Sequence, residues 1–122
     1  MKFTADSAGG NFIRAYQSGQ LTVRDEIIRC NAIISVDRII ADWQPAAVNE
    51  MSIADFALAL ELRPEIILLG TGRTQEFPHI ALLTTLLQSG IAIEVMETGA
   101  ACRTFNLLIG ERRAVVAALL VG

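Results

Sequence analysis

Apolar and polar positions alternate through the first third of the chain and gather into longer apolar blocks in the rest. Residues 12–17 and 20–23 flank Ser18-Gly19, a pair suited to the two-residue turn of a β-hairpin. Residues 26–30 and 33–36 read as further strands, and Asp37-Arg38 reverses the chain into residues 39–43. β-Branched side chains dominate these runs and no helical period interrupts them. The pattern predicts an antiparallel β meander over about 12–43.

After Gln44-Pro45 the period changes. Ser52 followed by Asp55 resembles a capping box, and Ile53, Phe56, Ala57 and Leu60 share one helical face until Arg63-Pro64 ends the helix. Residues 65–70 form a short apolar run of the fully buried kind. Pro78 opens a second helix whose predicted apolar stripe is Ile80, Leu83, Leu86 and Leu87, and Gly90 stops it. Residues 91–96 are the next buried strand, residues 99–109 a third helix ended by Gly110, and residues 114–121 a last apolar strand. Helix–strand–helix–strand–helix–strand over about 52–121 predicts an α/β sheet with at least one parallel pair. The antiparallel N-terminal β layer would cover part of that sheet. With no linker or repeat to divide it, the chain reads as one domain over 1–122.

Composition narrows the class. Of the 122 residues, 52% are hydrophobic and 19% charged, the profile of a core-rich globular domain. A net charge of -3 offers no basic field for nucleic acid or an anionic membrane, so no nucleic-acid partner is expected. No uninterrupted apolar run approaches the roughly 20 residues of a membrane span, so no membrane insertion is expected either. Residues 1–10 hold Lys2 and Asp6 without an apolar core, unlike a signal peptide. Cys30 and Cys102 suggest neither a disulfide framework nor a metal knuckle, and the expected compartment is the cytoplasm.

The residue runs carry a resemblance. Leu68-Leu69-Gly70-Thr71-Gly72, then Glu94-Val95-Met96 with Thr98 through Asn106, then Glu111 and Arg113 before Ala117-Ala118-Leu119, resemble the family of unknown biochemical function that includes the mitochondrial complex I alpha-subcomplex assembly factor 3. Ile13, Tyr16, Gly19 and Trp43 also fall where that family places an aliphatic residue, an aromatic, a turn glycine and an aromatic. The resemblance implies a three-layer α/β domain with a central mixed sheet. It also implies an assembly-type role through binding of protein partners, as for the mitochondrial relatives. The N-terminus does not look like a mitochondrial presequence, which suits a bacterial member.

Candidate chemistry concentrates where the buried strands end, the usual working edge of an open α/β sheet. Gly70-Thr71-Gly72 begins like a dinucleotide fingerprint with Glu97 as the acid after the next strand, but Gln75 stands where a third glycine belongs. The plainer reading is a sharp turn. Thr98 is positioned to cap the third helix, and Gly99 would let a ligand or a neighbouring loop approach. Cys102 shares a helical face with Phe105 and Ile109 and reads as core, while Arg103 and Asn106 point elsewhere and shape the site. His79 is the single histidine, which excludes a multi-histidine metal centre, and neither a phosphate-loop lysine nor a serine elbow is present.

The sequence therefore leans away from an enzyme. It favours an interaction or assembly-type protein, with no cofactor and no metal, that uses Gly70, Thr71, Gly72, Thr98, Gly99, Arg103 and Asn106. The alternative is an anion- or nucleotide-binding protein or enzyme at the same edge. That alternative calls for Arg73 or Arg103 and a base such as His79 in one cleft, whereas an interaction module calls for an apolar patch rimmed by arginine. Residues 33–36 and 39–40 are apolar for exposed strands, so a homodimer that shields this layer is expected.

Overall fold

A computed structural model describes residues 10–122, and the reading of the N-terminal residues as no signal peptide lies outside them apart from Gly10. The fold is mixed α/β with two sheets. Strands β1 (Ile13–Gln17), β2 (Gln20–Val23) and β3 (Glu26–Ile28) form a three-stranded antiparallel sheet. Gly19 turns the first hairpin at φ +91°, and its N–H donates to the Val121 carbonyl, which ties the turn to the other sheet.

The central sheet has five strands in the order β5-β4-β8-β6-β7. These are β4 (Ala32–Ile34), β5 (Ile39–Ala41), β6 (Ile66–Thr71), β7 (Ala92–Met96) and β8 (Val115–Leu120). β6 runs parallel to both β7 and β8, while β4 is antiparallel to β8 and to β5, so the sheet is mixed. The predicted meander therefore divides. Its first three strands make the antiparallel layer, and its last two extend the central sheet. Burial explains the division: Ala32, Ile33 and Ile34 are all fully buried, and a strand apolar on both faces needs cover on both sides.

Helix α1 (Ala57–Glu61) follows a 3₁₀ turn at Ile53–Phe56, α2 (Ile80–Gln88) links β6 to β7, and α3 (Thr98–Gly110) links β7 to β8. The two crossovers run in opposite directions along the sheet, so a common right-handed sense puts α2 and α3 on opposite faces. Alternation along the strands serves both. Ile66, Leu68, Val115, Ala117 and Leu119 pack with β1–β3 and with Ala101, Cys102 and Phe105 of α3. Ile67, Leu69, Val116 and Ala118 pack with Trp43, Met51, Phe56, Ala59, Leu82 and Leu86.

Four local expectations change. Residues 91–96, expected as a buried strand, instead include the end strand β7, where Ala92 and Glu94 are exposed because no further strand among the described residues covers that side. The helix expected from Ser52 to Arg63 opens as a 3₁₀ turn, where the Asp55 carbonyl takes the Trp43 indole N–H at 2.8 Å and its carboxylate takes the Ser52 N–H at 2.9 Å. The α2 stripe is rotated: Leu82 and Leu86 are buried, while Ile80 and Leu87 are 68% and 69% exposed. A leucine-rich helix fits two stripes, and only the sheet beneath selects one. Finally, β4 is an interior strand, so Ile33 and Ile34 are not an edge awaiting a partner.

Candidate functional site

The C-terminal ends of β6 and β8 meet the start of α3 in a buried knot. Thr98 is fully buried, and its hydroxyl accepts the Gly72 N–H at 2.8 Å and donates to the Leu120 carbonyl at 2.6 Å. Its own N–H donates to the Gly72 carbonyl at 2.8 Å. Gly72 sits at φ +94°, in the left-handed region that favours glycine, and a Cβ there would stand 2.6 Å from the Gly122 carbonyl oxygen. A Cβ on Gly70 would meet Leu119 and Thr98 at 2.9 Å. The Thr71 hydroxyl donates to the Thr74 carbonyl at 2.7 Å and accepts the Glu76 N–H at 3.1 Å, which folds the following loop back. Gly70, Thr71, Gly72 and Thr98 thus form a buried backing in which both threonine hydroxyls are taken by main-chain groups of the chain.

Glu97, not Thr98, caps α3. Its carboxylate accepts the Ala100 N–H, and Gly99 leaves room for it, since a Cβ there would lie 3.1 Å from Glu97 Oε1. Threonine is the usual cap and glutamate is not, so the sequence points to the wrong residue. Arg103 reaches back to within 3.7 Å of Glu97 Oε1 with 76% of its side chain exposed, a loose pair on the surface. The helix N-terminus therefore already holds a carboxylate, and an incoming anion would have to displace it.

In front of this backing, β1 and α3 bound a groove of about 240 Å³ whose walls include Phe12, Tyr16, Gly99, Cys102, Arg103 and Asn106. Asn106 holds the two elements together: Oδ1 accepts the Ile13 N–H at 2.9 Å and Nδ2 donates to the Ile13 carbonyl at 2.8 Å, much as a neighbouring strand would. Asn106→Ala should lower stability by about 1–3 kcal/mol by leaving those groups without a partner. Denaturant titration checks this, and an unchanged midpoint would remove Asn106 from the role of clamp.

The Tyr16 hydroxyl is buried without a hydrogen-bond partner among the described residues. Its pKa is pushed up by burial first and then by Glu97 and Cys102, against a smaller opposing pull from Arg73. Burial drives the Cys102 thiol up to about 12, with Arg103 opposing, so this cysteine packs in the core as expected. Of the sequence candidates, Gly99, Arg103 and Asn106 come together in the groove. Tyr16 joins them, while Glu97 stands outside the groove and reaches it only through its pair with Arg103, and β-strand alternation alone could not aim Tyr16 inward from a short hairpin.

His79 accepts the Ala81 N–H on Nδ1 at 3.1 Å and caps α2. It lines a cavity of about 380 Å³ with Met51, Ser52, Ile53, Leu82 and Thr85, and this cavity shares no residue with the groove that holds Arg103. Among the described residues, no group of three or more His, Cys, Asp or Glu side chains gathers, and no helix is long and apolar enough to cross a membrane. Both cysteines are unpaired.

Comparison with known proteins places these features in a lineage. A family model described as "Protein of unknown function (DUF498/DUF598)" matches residues 13–120. NADH dehydrogenase [ubiquinone] 1 alpha subcomplex assembly factor 3 of Xenopus tropicalis is 35% identical over 118 residues, which cover 94% of this chain and 63% of the relative. The chain thus spans less than two-thirds of that relative's length. A 13 kDa major membrane protein of Francisella tularensis is 29% identical over 104 residues, 84% of each chain. A crystal structure of a Bordetella parapertussis protein superposes with a TM-score of 0.84 at 31% identity, covering 93% of this chain and 98% of that one. The fold shared with the solved relative and the match across residues 13–120 agree, and the chain belongs to the DUF498/DUF598 family of proteins of unknown function.

Proposed function

We propose that this domain is a non-enzymatic interaction module of the assembly type, and that it meets a protein partner at the β1–α3 groove. In this reading Phe12 and Arg103 make the contact, Gly99 and Asn106 shape the surface, and Gly70, Thr71, Gly72 and Thr98 form its rigid back. The observation that carries it is the juxtaposition in one groove of Phe12, 49% exposed, with Arg103, whose side chain is 76% exposed. Aromatic and arginine side chains around an apolar centre are the composition of binding hot spots. The name of the vertebrate relatives, assembly factor, supports a protein as the partner. Two unpaired cysteines support a reducing, cytoplasmic setting.

The unpartnered Tyr16 hydroxyl favours a second reading, a small molecule with a hydrogen-bond acceptor lodged in the same groove. Glu97 at the helix N-terminus and the separate position of His79 weigh against an anion-using enzyme.

The test is cross-linked capture of partners from the native host with the wild-type chain, Phe12→Ser and Arg103→Glu. Loss of the same captured protein in both variants, by about tenfold or more and with unchanged melting temperature, is expected for hot-spot residues. Equal capture by all three proteins would discard the groove as the contact surface. A small molecule retained by the wild type and released by Tyr16→Phe would favour the second reading instead.

A further inference from the structure

The rotated stripe of α2 leaves Ile80 and Leu87 exposed at 68% and 69%, in line with the half-buried Leu83 at helical spacing, and Phe77 in the loop before the helix is 62% exposed. Beside them lies β7, the end strand of the central sheet, and Phe77, Leu83, Leu87, Ile93 and Val95, with Ala92 and Glu94, line a mostly apolar groove of about 300 Å³. α2 carries no charged side chain. Among the described residues no segment pairs with the outer edge of β7, and long unprotected edges of this kind are ready to pair with another strand.

The main-chain groups of that edge can be assigned. The Ala92 N–H donates to the Glu65 carbonyl, so the even-numbered residues of β7 face β6, and Ile93 and Val95 face outward. The Val95 carbonyl is already taken by the Gln75 side-chain amide at 2.9 Å, and the Ile91 N–H by the Leu86 carbonyl at 3.1 Å. The outward N–H and C=O of Ile93, the Val95 N–H and the Ile91 carbonyl remain.

We infer that this face is a homodimer interface in which β7 pairs antiparallel with β7 of a second copy about Ile93. The two Ile93 residues exchange both hydrogen bonds, and each Val95 N–H donates to the other copy's Ile91 carbonyl. The two groups left over in that register, the Ile91 N–H and the Val95 carbonyl, are the two satisfied within the chain. Charge selects the same register. Centring on Glu94 would oppose two carboxylates, and centring on Val95 would need its occupied carbonyl, whereas centring on Ile93 sets each Glu94 against Ala92 of the other copy. The apolar stripes of the two α2 helices then lie side by side on one face of a continuous ten-stranded sheet. This surface is distinct from the β1–α3 groove and stands independently of the partner proposed there.

Ultracentrifugation of the full chain, with hydrogen exchange of residues 91–96, tests the interface. The wild type is expected to dimerise, with exchange at Ile93 and Val95 slowing as concentration rises. Ala92→Glu, at an exposed position, sets two carboxylate pairs in opposition and should raise the dimer Kd about tenfold, while Ala92→Glu with Glu94→Lys should restore it. Leu87→Glu should raise the Kd by about 100-fold or more, because it buries a charge. A wild type that stays monomeric at millimolar concentration overturns the inference. So does a dimer indifferent to both Ala92→Glu and Leu87→Glu, or one whose β7 amides exchange equally fast at every concentration.

Discussion

Thr98→Val should lower the stability of the fold by about 2–5 kcal/mol, although valine nearly matches threonine in shape. The hydroxyl it removes serves two main-chain groups, accepting from the buried Gly72 N–H and donating to the half-buried Leu120 carbonyl. With Thr98 and Gly72 buried, water cannot replace the bond to the Gly72 N–H, and that stranded group carries the larger desolvation cost. Thr98→Ser keeps the hydroxyl and loses one methyl, so its cost should stay near 1 kcal/mol. Denaturant unfolding of both variants separates the effects. Equal losses for valine and serine would mean that packing, not the hydroxyl, holds β6, β8 and α3 together.

Native Cys102 should resist alkylation by about 1,000-fold relative to an unperturbed thiol at neutral pH, because only the thiolate reacts and burial moves its pKa from the ordinary value of 9.0 to about 12. Cys30 is half-buried and should react first. The same shift makes stability depend on pH. Below pH 9 both folded and unfolded chains keep the Cys102 proton and the term is constant. Between about pH 9 and 12 the unfolded chain ionises while the folded one does not, so stability falls by up to roughly 1.4 kcal/mol per pH unit. Tyr16, whose pKa is also raised, adds to the decline at the upper end of this window. Cys102→Ala should flatten the profile between pH 9 and 10. Rapid native labelling at Cys102, or an alkaline profile unaltered by that substitution, would contradict a sealed core position.

The nature of the candidate surface was only partly legible. The glycine–threonine turns were visible as turns, but threonine at both 71 and 98 offers a hydroxyl to whatever lies nearest. In the fold the nearest groups are main-chain atoms of the chain itself, which turns these residues into backing rather than lining. Asn106 reads as a polar surface residue in isolation and becomes a clamp only because β1, 93 residues away, lies beside it. Tyr16 enters the site for the same reason, since it reaches α3 from β1 across elements that local pattern treats separately.

What the sequence by itself determined is the kind and order of elements, because period and turn chemistry are local. Alternation marked the strands, Gly90 marked the end of α2, and the apolar blocks at β6 and β8 announced buried strands, whereas α3 runs through Gly110 and the chain turns at Arg112, φ 61°. Tertiary structure decided the allocation. Ala32-Ile33-Ile34 could extend a hairpin layer or enter a covered sheet, and only the presence of β8 as a neighbour made the second more favourable. The last strand runs parallel to β6 because α3 carries the chain back over the sheet before it begins. The leucines of α2 offered two stripes of similar hydrophobicity. The sheet could bury only one, and Leu82 and Leu86 took it, leaving Ile80 and Leu87 exposed and Leu83 half-buried.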